Sequence, residues 1–300
     1  AERAAGQPLS FAQQRLWFID RLRPGSPAYN MPTVAWWHGA LAAARLGQVL
    51  SEVVRRHEVL RSVLVEADGV PVQVVRPARP VSLRRVDLSG LPAVAREREA
   101  ERLARREAAA PFRLDVGPLV RFTVVRLSPE RFLLALVMHH VVSDGWSSGV
   151  LLGELSQLHR AFENGVPSPL AELPVQYVDY AVWQRRWLAG EVLAAELGHW
   201  RERLSGAPPV LDLPLDRPRP PLSGGPAGRW AVALTPEVSR SLAAFARRQG
   251  ATPFMVLAGL LGALLSRWSG QDDLVLGTPV AGRDRRETEG LIGFFVNTLP

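Results

Sequence analysis

Two hydrophobic periods alternate along this chain and together predict a mixed α/β fold. Apolar side chains recur three and four residues apart in 46–57 and in 150–162, the spacing of a helix with one buried face. Continuous apolar runs bounded by turn residues predict strands instead. The predicted hairpins join 60–66 to 70–75 and 119–127 to 131–138. The run 131–138 alternates poorly, which predicts a strand buried on both faces.

Capping and turn residues predict the remaining elements. Ser10 is a predicted N-cap, and threonine followed by proline opens a helix at Thr235 and at Thr252. Residues 164–174 are rich in proline and glycine, so we place a first lobe at 1–170 and a second at 171–300. The further predicted helices are 93–109, 177–188, 191–204 and 254–268. The helix 191–204 is expected to bury Leu193, Leu197, Trp200 and Leu204, and 254–268 is expected to be a core helix. The further predicted strands are 33–38, 228–234, 274–280 and 291–299.

The stretch from Met138 to Trp146 carries the candidate chemistry. His139 and His140 close the buried strand, and Ser143-Asp144-Gly145 turns the chain into a helix. Neighbouring strand side chains point to opposite faces, so one histidine is expected to face a cleft and the other to pack inward. Histidine exchanges a proton near neutral pH, which suits a general base, and glycine permits a turn that a side chain would block. Taken alone, the pattern favours a core histidine beside an ordinary Asp-Gly turn.

Composition excludes several classes of function. The 300 residues carry a net charge of +7, but all 36 basic residues are arginines and they are interleaved with acids. This pattern indicates solvated helix faces and a high-GC coding sequence rather than a nucleic-acid-binding patch. The chain has no cysteine, which excludes disulfides and thiolate catalysis, and no HExxH-like metal pattern. We expect no metal, no nucleic acid, no signal peptide, no membrane span and a cytoplasmic location.

Five motifs in order resemble the condensation domains of nonribosomal peptide synthetases. The HHxxxDG signature is His139, His140, Asp144 and Gly145. The other four matching stretches are Ser10 to Phe18, Arg56 to Arg61, Tyr177 to Trp183, and Ile292 to Pro300. A single signature is moderately specific, whereas five in the expected order across the whole chain are highly specific.

The resemblance implies a fold, a reaction and partners. The implied α/β fold has two chloramphenicol-acetyltransferase-like lobes with mixed sheets flanked by helices and an active site between the lobes. The second lobe is expected to be incomplete and to expose apolar surface, because family members continue beyond the fifth motif. The implied reaction joins a donor acyl or peptidyl thioester to the amine of an acceptor aminoacyl thioester. Both arrive on phosphopantetheine arms of upstream and downstream carrier proteins, an adenylation domain adjoins, and no cofactor binds directly.

The resemblance also implies roles for single residues. His140 would take the proton or hold the amine, whereas His139 and Asp144 would be structural, with Asp144 in a salt bridge to Arg61. The turn geometry suggests that the backbone N–H of Gly145 lies near the substrate. Arg61 and Trp146 are expected to support the site, and Ser147 and Asn297 to line the tunnel. His57 is expected in the core. The aromatic residues expected to pack rather than to contact substrate are Trp17, Phe18, Trp183, Phe294 and Phe295.

Local detail narrows the resemblance to a subtype and leaves two other functions open. Ser26 to Asn30 and Asp144 to Ser147 are most similar to the subtype that joins an L-configured donor to an L-amino acid acceptor. Heterocyclisation domains carry aspartate in place of the histidines. The open alternatives are a stand-alone acyltransferase that uses a soluble thioester, and a non-catalytic domain that docks carrier proteins or recruits a partner enzyme. Domains of the second kind typically lose the second histidine, which this chain has as His140.

Overall fold

The computed structural model of the chain describes residues 6–219, 228 and 230–300. It divides the chain into two compact units. The first comprises the chain up to Ala194 together with Pro279–Asn297, and the second comprises Ala195–Thr278 together with Thr298–Pro300. Residues 171–194 and 279–297 thus group with the first 170 residues. The assignment of two acetyltransferase-like lobes that meet at residue 170 stays a prediction.

Helices and strands follow the predicted order along most of the chain. The helices of the described residues are α1 (Phe11–Leu22), α2 (Ala43–Arg56), α3 (Ala93–Ala109), α4 (Gly145–Glu163), α5 (Tyr177–Trp187), α6 (Gly190–Arg203), α7 (Pro236–Arg248), α8 (Pro253–Ser269) and α9 (Arg286–Glu289). The strands are β1 (Gln7–Pro8), β2 (Asn30–His38), β3 (Ser62–Ala67), β4 (Val70–Val75), β5 (Leu83–Asp87), β6 (Val120–Ser128), β7 (Arg131–His139), β8 (Thr278–Val280) and β9 (Asn297–Leu299). Both predicted hairpins form, as β3–β4 and β6–β7.

The sheets place the histidine pair at the end of a central strand. One sheet has the order β2-β7-β6-β5, with β5 parallel to β6 and the other neighbours antiparallel. A second has the order β1-β4-β3, and β8 pairs with β9. Consecutive residues of β7 point to opposite faces of the sheet, and both Phe132 and Leu133 as well as both Val137 and Met138 are buried, so the apolar run is buried on both faces, as predicted. In the β2–β7 register, Asn30 lies opposite His139.

Two apolar clusters hold the first unit together. The smaller one joins α3 to β6 and β7 through Leu103, Val125 and Leu133. The larger one gathers residues of α1, α2, α4 and α5 with Leu291, Ile292, Phe294 and Phe295. The predicted packing of Phe294 and Phe295 is therefore confirmed, and Trp17 packs against the same cluster. The prediction for Phe18 is wrong, since its side chain is exposed on the outer face of α1.

The predicted caps are present. The Ser10 hydroxyl accepts the Gln13 N–H at the start of α1, and the Gln13 side chain accepts the Ser10 N–H in return. Thr235 and Thr252 accept the third backbone N–H of α7 and α8, each with proline at the first helical position. Local capping chemistry thus determines where these helices begin.

Several predictions for the second half of the chain are wrong. The predicted stripe of α6 is not buried, because Leu197 and Leu204 are exposed. The core position predicted for α8 is also wrong, since this helix has no buried residue and Phe254 and Trp268 are each 61% exposed. In the described residues α8 packs against α7, which covers only part of its apolar circumference. The expectation of exposed apolar surface in this half is confirmed.

The remaining differences concern strands and membrane spans. Of the predicted strand 228–234, residues 230–234 are not in a strand, and residue 229 lies outside the described residues. The predicted strands at 274–280 and 291–299 form only over the short β8 and β9. Among the described residues no single helix is long and apolar enough to cross a membrane, and α7 and α8, which together reach that length, are bent by 104° at their break.

Candidate active site

The two histidines differ in burial, as predicted. His139 ends β7 and is buried between the rings of Tyr29 and Phe112, and its Nδ1 accepts the backbone N–H of Val141 at 3.1 Å. Burial, and to a smaller extent the neighbouring His140, lower the pKa of His139 to about 4. The imidazole of His139 is therefore neutral at physiological pH.

His140 leaves the strand and is half-buried. It opens a short 3₁₀ turn, His140–Val142, and its backbone N–H donates to the carbonyl of Tyr29 at 2.8 Å. Its ring meets Phe294 edge-on, with centroids 4.6 Å apart. Its Nδ1 is buried and has no hydrogen-bond partner among the described residues. The change from strand to 3₁₀ turn, rather than strand alternation alone, separates the directions of the two rings.

Asp144 is the fully buried charge of the site. It caps α4 by accepting the backbone N–H of Ser147 at 2.8 Å. Its salt bridge is to Arg283, whose Nη2 lies 3.2 Å from Oδ1 and whose side chain is only 2% exposed. The predicted pairing with Arg61 is therefore wrong. Arg61 forms its ion pair with Glu58, three residues away in the same turn, and donates to the carbonyl of Arg76.

Residues 291–295, here called the clamped segment, are held by side chains from the rest of the first unit. Arg283 donates to the carbonyl of Leu291 at 2.8 Å, and His57 Nδ1 accepts the N–H of Ile292 at 3.3 Å. The Ser147 hydroxyl accepts the N–H of Gly293 at 3.0 Å. Tyr177 donates to the carbonyl of Phe294 at 2.6 Å, and Asp144 Oδ2 accepts the N–H of Phe295 at 3.1 Å. Side chains thus satisfy the backbone N–H and C=O groups of this segment, which in a sheet would be paired with a neighbouring strand.

Gly293 lets the clamped segment approach the core. A Cβ at this position would clash with Cδ2 of the Tyr177 ring and would lie 2.8 Å from Cε2 of Phe295. Burial raises the pKa of the Tyr177 phenol, so the phenol stays protonated. Its O–H donates a hydrogen bond to the carbonyl of Phe294. The Ser10 hydroxyl, 2.8 Å from the Tyr177 oxygen, links the start of α1 to the same site.

The other predicted site residues have distinct positions. Gly145 is exposed, its φ is not positive, and a Cβ there would meet no atom within 4 Å, so the expectation that a side chain would be blocked is wrong. Trp146 is 49% exposed and its indole N–H donates to the carbonyl of Glu289 at 2.9 Å. Ser147 is fully buried, and its hydroxyl binds within the chain. Asn297 is exposed at the start of β9.

Comparison with known proteins identifies the family of the chain. The family model described as the condensation domain matches residues 4–300. The chain belongs to the condensation domain family. It is 48% identical over 297 residues to a linear gramicidin synthase of Brevibacillus parabrevis, and the match covers 99% of this chain and 6% of that protein. The chain therefore spans only a small part of this curated relative.

Solved structures agree with this assignment to the condensation domains. The first condensation domain of the CDA synthetase matches with a TM-score of 0.78 and 25% identity, over 98% of this chain and 69% of that one. The X-domain from teicoplanin biosynthesis, solved in complex with OxyB, matches with a TM-score of 0.87 and 28% identity, over 98% and 64%. The predicted α/β fold of the chloramphenicol acetyltransferase type is confirmed.

Sequence reasoning missed three residues that hold the site. Arg283 is one of many arginines in this chain, and no spacing distinguishes it from the others. Tyr177 and Gly293 do lie within matched motifs, but their contact requires the fold. The described residues contain no cluster of three or more histidine, cysteine, aspartate or glutamate side chains that could hold a metal ion.

The first prediction concerns the partner of Asp144. We expect Asp144→Ala and Arg283→Met each to lower the free energy of unfolding by about 3–5 kcal/mol, because each leaves one buried charge unpaired. A double-mutant cycle from urea unfolding should show coupling between these two sites. The matched control is Arg61→Met, whose effect should add to that of Asp144→Ala without coupling. Coupling to Arg61 instead of Arg283 would contradict the observed pairing.

The second prediction concerns Gly293. We expect Gly293→Ala to lower the free energy of unfolding by about 1–3 kcal/mol, because the new methyl group overpacks against the Tyr177 ring. Gly290→Ala is the matched control, since a Cβ there meets no atom within 4 Å. Thermal unfolding of both variants measures the difference. Equal losses would mean that the close approach of Tyr177 is not required.

The third prediction concerns pH. Because the pKa of folded His139 is about 4, the unfolded chain binds a proton near pH 6.5 that the folded chain does not bind. Neutral His139 therefore contributes to the free energy of unfolding above pH 6.5, and this contribution, about 3 kcal/mol, is lost as the pH falls towards 4. Unfolding of His139→Asn, which keeps an acceptor for Val141, should depend less on pH in this window. An unchanged slope would contradict a buried neutral His139.

Proposed function

We propose that the chain catalyses amide formation between a donor acyl or peptidyl thioester and the amine of an acceptor aminoacyl thioester. The supporting observation is a buried, neutral His139 beside a half-buried His140 in a chain of the condensation family. The acceptor nitrogen bonds to the thioester carbonyl carbon and the C–S bond breaks. The proton lost by the amine ends on the departing thiolate.

His140 is the residue that we assign to the reacting amine. Partial exposure lets its imidazole meet a substrate, and the edge contact with Phe294 restricts the rotation of the ring. A general base typically contributes about 10²–10⁴ to a rate, and orientation of the reactants can contribute more. His139 and Asp144 support the site from inside, and Trp146 supports it from the start of α4 through its bond to the carbonyl of Glu289.

Gly145 supplies an electropositive backbone at the start of α4. The first N–H groups of a helix have no partner inside the helix and carry its positive end. The empty space beside the Gly145 Cα leaves room for a substrate oxygen to approach such a group. We therefore propose that the developing oxyanion lies there, and that Asn297 lines the tunnel.

Carrier proteins are the proposed partners. We propose that an upstream and a downstream carrier protein present the two thioesters on phosphopantetheine arms, and that an adenylation domain belongs to the same synthetase. No further cofactor is needed for aminolysis. The proposed subtype joins an L-configured donor to an L-amino acid acceptor. We place the reaction in the cytoplasm, since a chain without cysteine suits a reducing compartment.

A second candidate is a docking domain without catalysis. The TM-score of 0.87 to an X-domain solved in complex with OxyB favours it. The presence of His140 argues for catalysis instead. A stand-alone acyltransferase that uses a soluble thioester is a third candidate, and the same assay tests it when the carrier is replaced by a free thioester.

The fourth prediction tests the reaction. With the chain in its natural sequence context, one carrier is loaded with an aminoacyl donor and the other with an aminoacyl acceptor, and intact-protein mass spectrometry follows dipeptidyl transfer. We expect His140→Ala to slow transfer by about 10²-fold or more. His140→Gln accepts a hydrogen bond but no proton, so it separates a base from a residue that holds the amine. His199→Ala, at an exposed histidine of α6, is the matched control.

Each outcome of this assay decides between the candidates. Transfer in the wild-type chain that is lost in both His140 variants supports a general base, and recovery in His140→Gln supports positioning of the amine. Equal transfer in all variants would remove His140 from the reaction. Carrier binding without transfer for several donor and acceptor pairs would favour the docking function.

A further inference from the structure

A second buried polar group lies behind the clamped segment and is not used by the proposed chemistry. His57 follows the last residue of α2 and is fully buried. Its Nε2 lies 2.9 Å from Oε2 of Glu154, a buried residue of α4. Arg56 donates from Nε and Nη2 to the other oxygen of Glu154, at 3.2 and 3.1 Å. The predicted core position of His57 is confirmed, but the side chain does more than fill space.

The hydrogen bonds of His57 determine its tautomer. Nδ1 accepts the backbone N–H of Ile292, so this nitrogen carries the lone pair and the ring proton is on Nε2. That proton is donated to Glu154. Burial alone would raise the pKa of Glu154, but the hydrogen bonds from His57 and Arg56 outweigh it, so the pKa is lowered and the carboxylate is charged.

This chain of bonds ends close to the candidate catalytic residue. Ile292 is two residues before Phe294, whose ring meets the His140 ring with centroids 4.6 Å apart. Ser147, Tyr177 and Asp144 hold the clamped segment from Gly293 onwards. His57 accepts the N–H of Ile292 and therefore fixes the backbone on the N-terminal side of Phe294.

We propose that Glu154 and His57 are positioning residues for His140, acting through Ile292 and Phe294. Glu154 keeps His57 in the tautomer that accepts the Ile292 N–H, and this bond sets the place of the Phe294 ring beside the imidazole of His140. The inference rests on the proposed function, in which His140 meets the reacting amine. It has the form of an outer residue that orients the group in contact with the substrate.

Two substitutions at His57 separate the two bonds. In His57→Asn the side-chain oxygen can take the place of Nδ1 and accept the Ile292 N–H, while the bond to Glu154 is lost. In His57→Gln the side-chain nitrogen can take the place of Nε2 and donate to Glu154, while the Ile292 N–H is left unpaired. Both remove the ring, so packing losses are similar, and Arg56 still holds Glu154 in both.

The experiment uses the chain in its natural sequence context and three readouts. Hydrogen exchange with mass spectrometry reports protection of peptides within 288–296, thermal unfolding reports stability, and the transfer assay separates kcat from KM. We expect His57→Gln to lose protection of these peptides and to lower kcat on the order of tenfold with little change in KM, because the His140 ring is misplaced. His57→Asn should retain protection and most of kcat.

A destabilised control separates positioning from general loss of stability. Leu103→Ala leaves a cavity in the smaller apolar cluster, which contains no residue of the clamped segment, and should lower the melting temperature while kcat stays close to that of the wild type. If both His57 variants and Leu103→Ala lost activity in proportion to stability, the positioning role would be overturned. Equal protection of 288–296 in His57→Gln and the wild type would also overturn it.

The hydrogen-exchange result does not depend on transfer. If the wild-type chain transfers nothing, the proposed function fails, whereas loss of protection in His57→Gln but not in His57→Asn still supports the tie to Ile292. If transfer occurs and is equal in both His57 variants, the positioning role fails and the proposed function stands.

Discussion

The buried carboxylate of Asp144 is the interaction on which the site depends. A charge without solvent is costly unless it is paired and fully hydrogen-bonded, and here it accepts from Arg283, Ser147 and the N–H of Phe295. These donors come from three different places in the first unit. Because the buried carboxylate needs all three donors, the fold brings them to one point. The turn after the histidine pair is thereby bound to the clamped segment.

The clamped segment extends this principle from one charge to a stretch of backbone. Its polar groups are inside the main apolar cluster, yet in the described part of the chain no strand runs beside residues 291–295 to satisfy them. Side chains of His57, Ser147, Tyr177 and Arg283 take that task. Each bond constrains one residue in one direction, so the segment has a single position. The position of the backbone fixes the position of the Phe294 ring, and therefore its contact with His140.

Much of the fold could be predicted because it is encoded locally. The capping box at Ser10, the Thr-Pro helix starts and the two hairpins need only neighbouring residues. The histidine pair could be located for the same reason. The partner of Asp144 could not, because Arg283 is 139 positions away and resembles every other arginine in sequence. Exposure of α8 was missed because apolar composition does not state which partner covers a helix.

The discontinuity of the first unit has a consequence for synthesis of the protein on the ribosome. Its two parts, up to Ala194 and Pro279–Asn297, are separated in sequence by the whole stretch Ala195–Thr278 of the second unit. At about 5–20 residues per second, the second part of the first unit is synthesised on the order of ten seconds after the first part. Until Arg283 and the clamped segment emerge, the carboxylate of Asp144 has no cation and the apolar cluster lacks Leu291 to Phe295. Until then, the region around the histidine pair of the nascent first unit is open to solvent and chaperones.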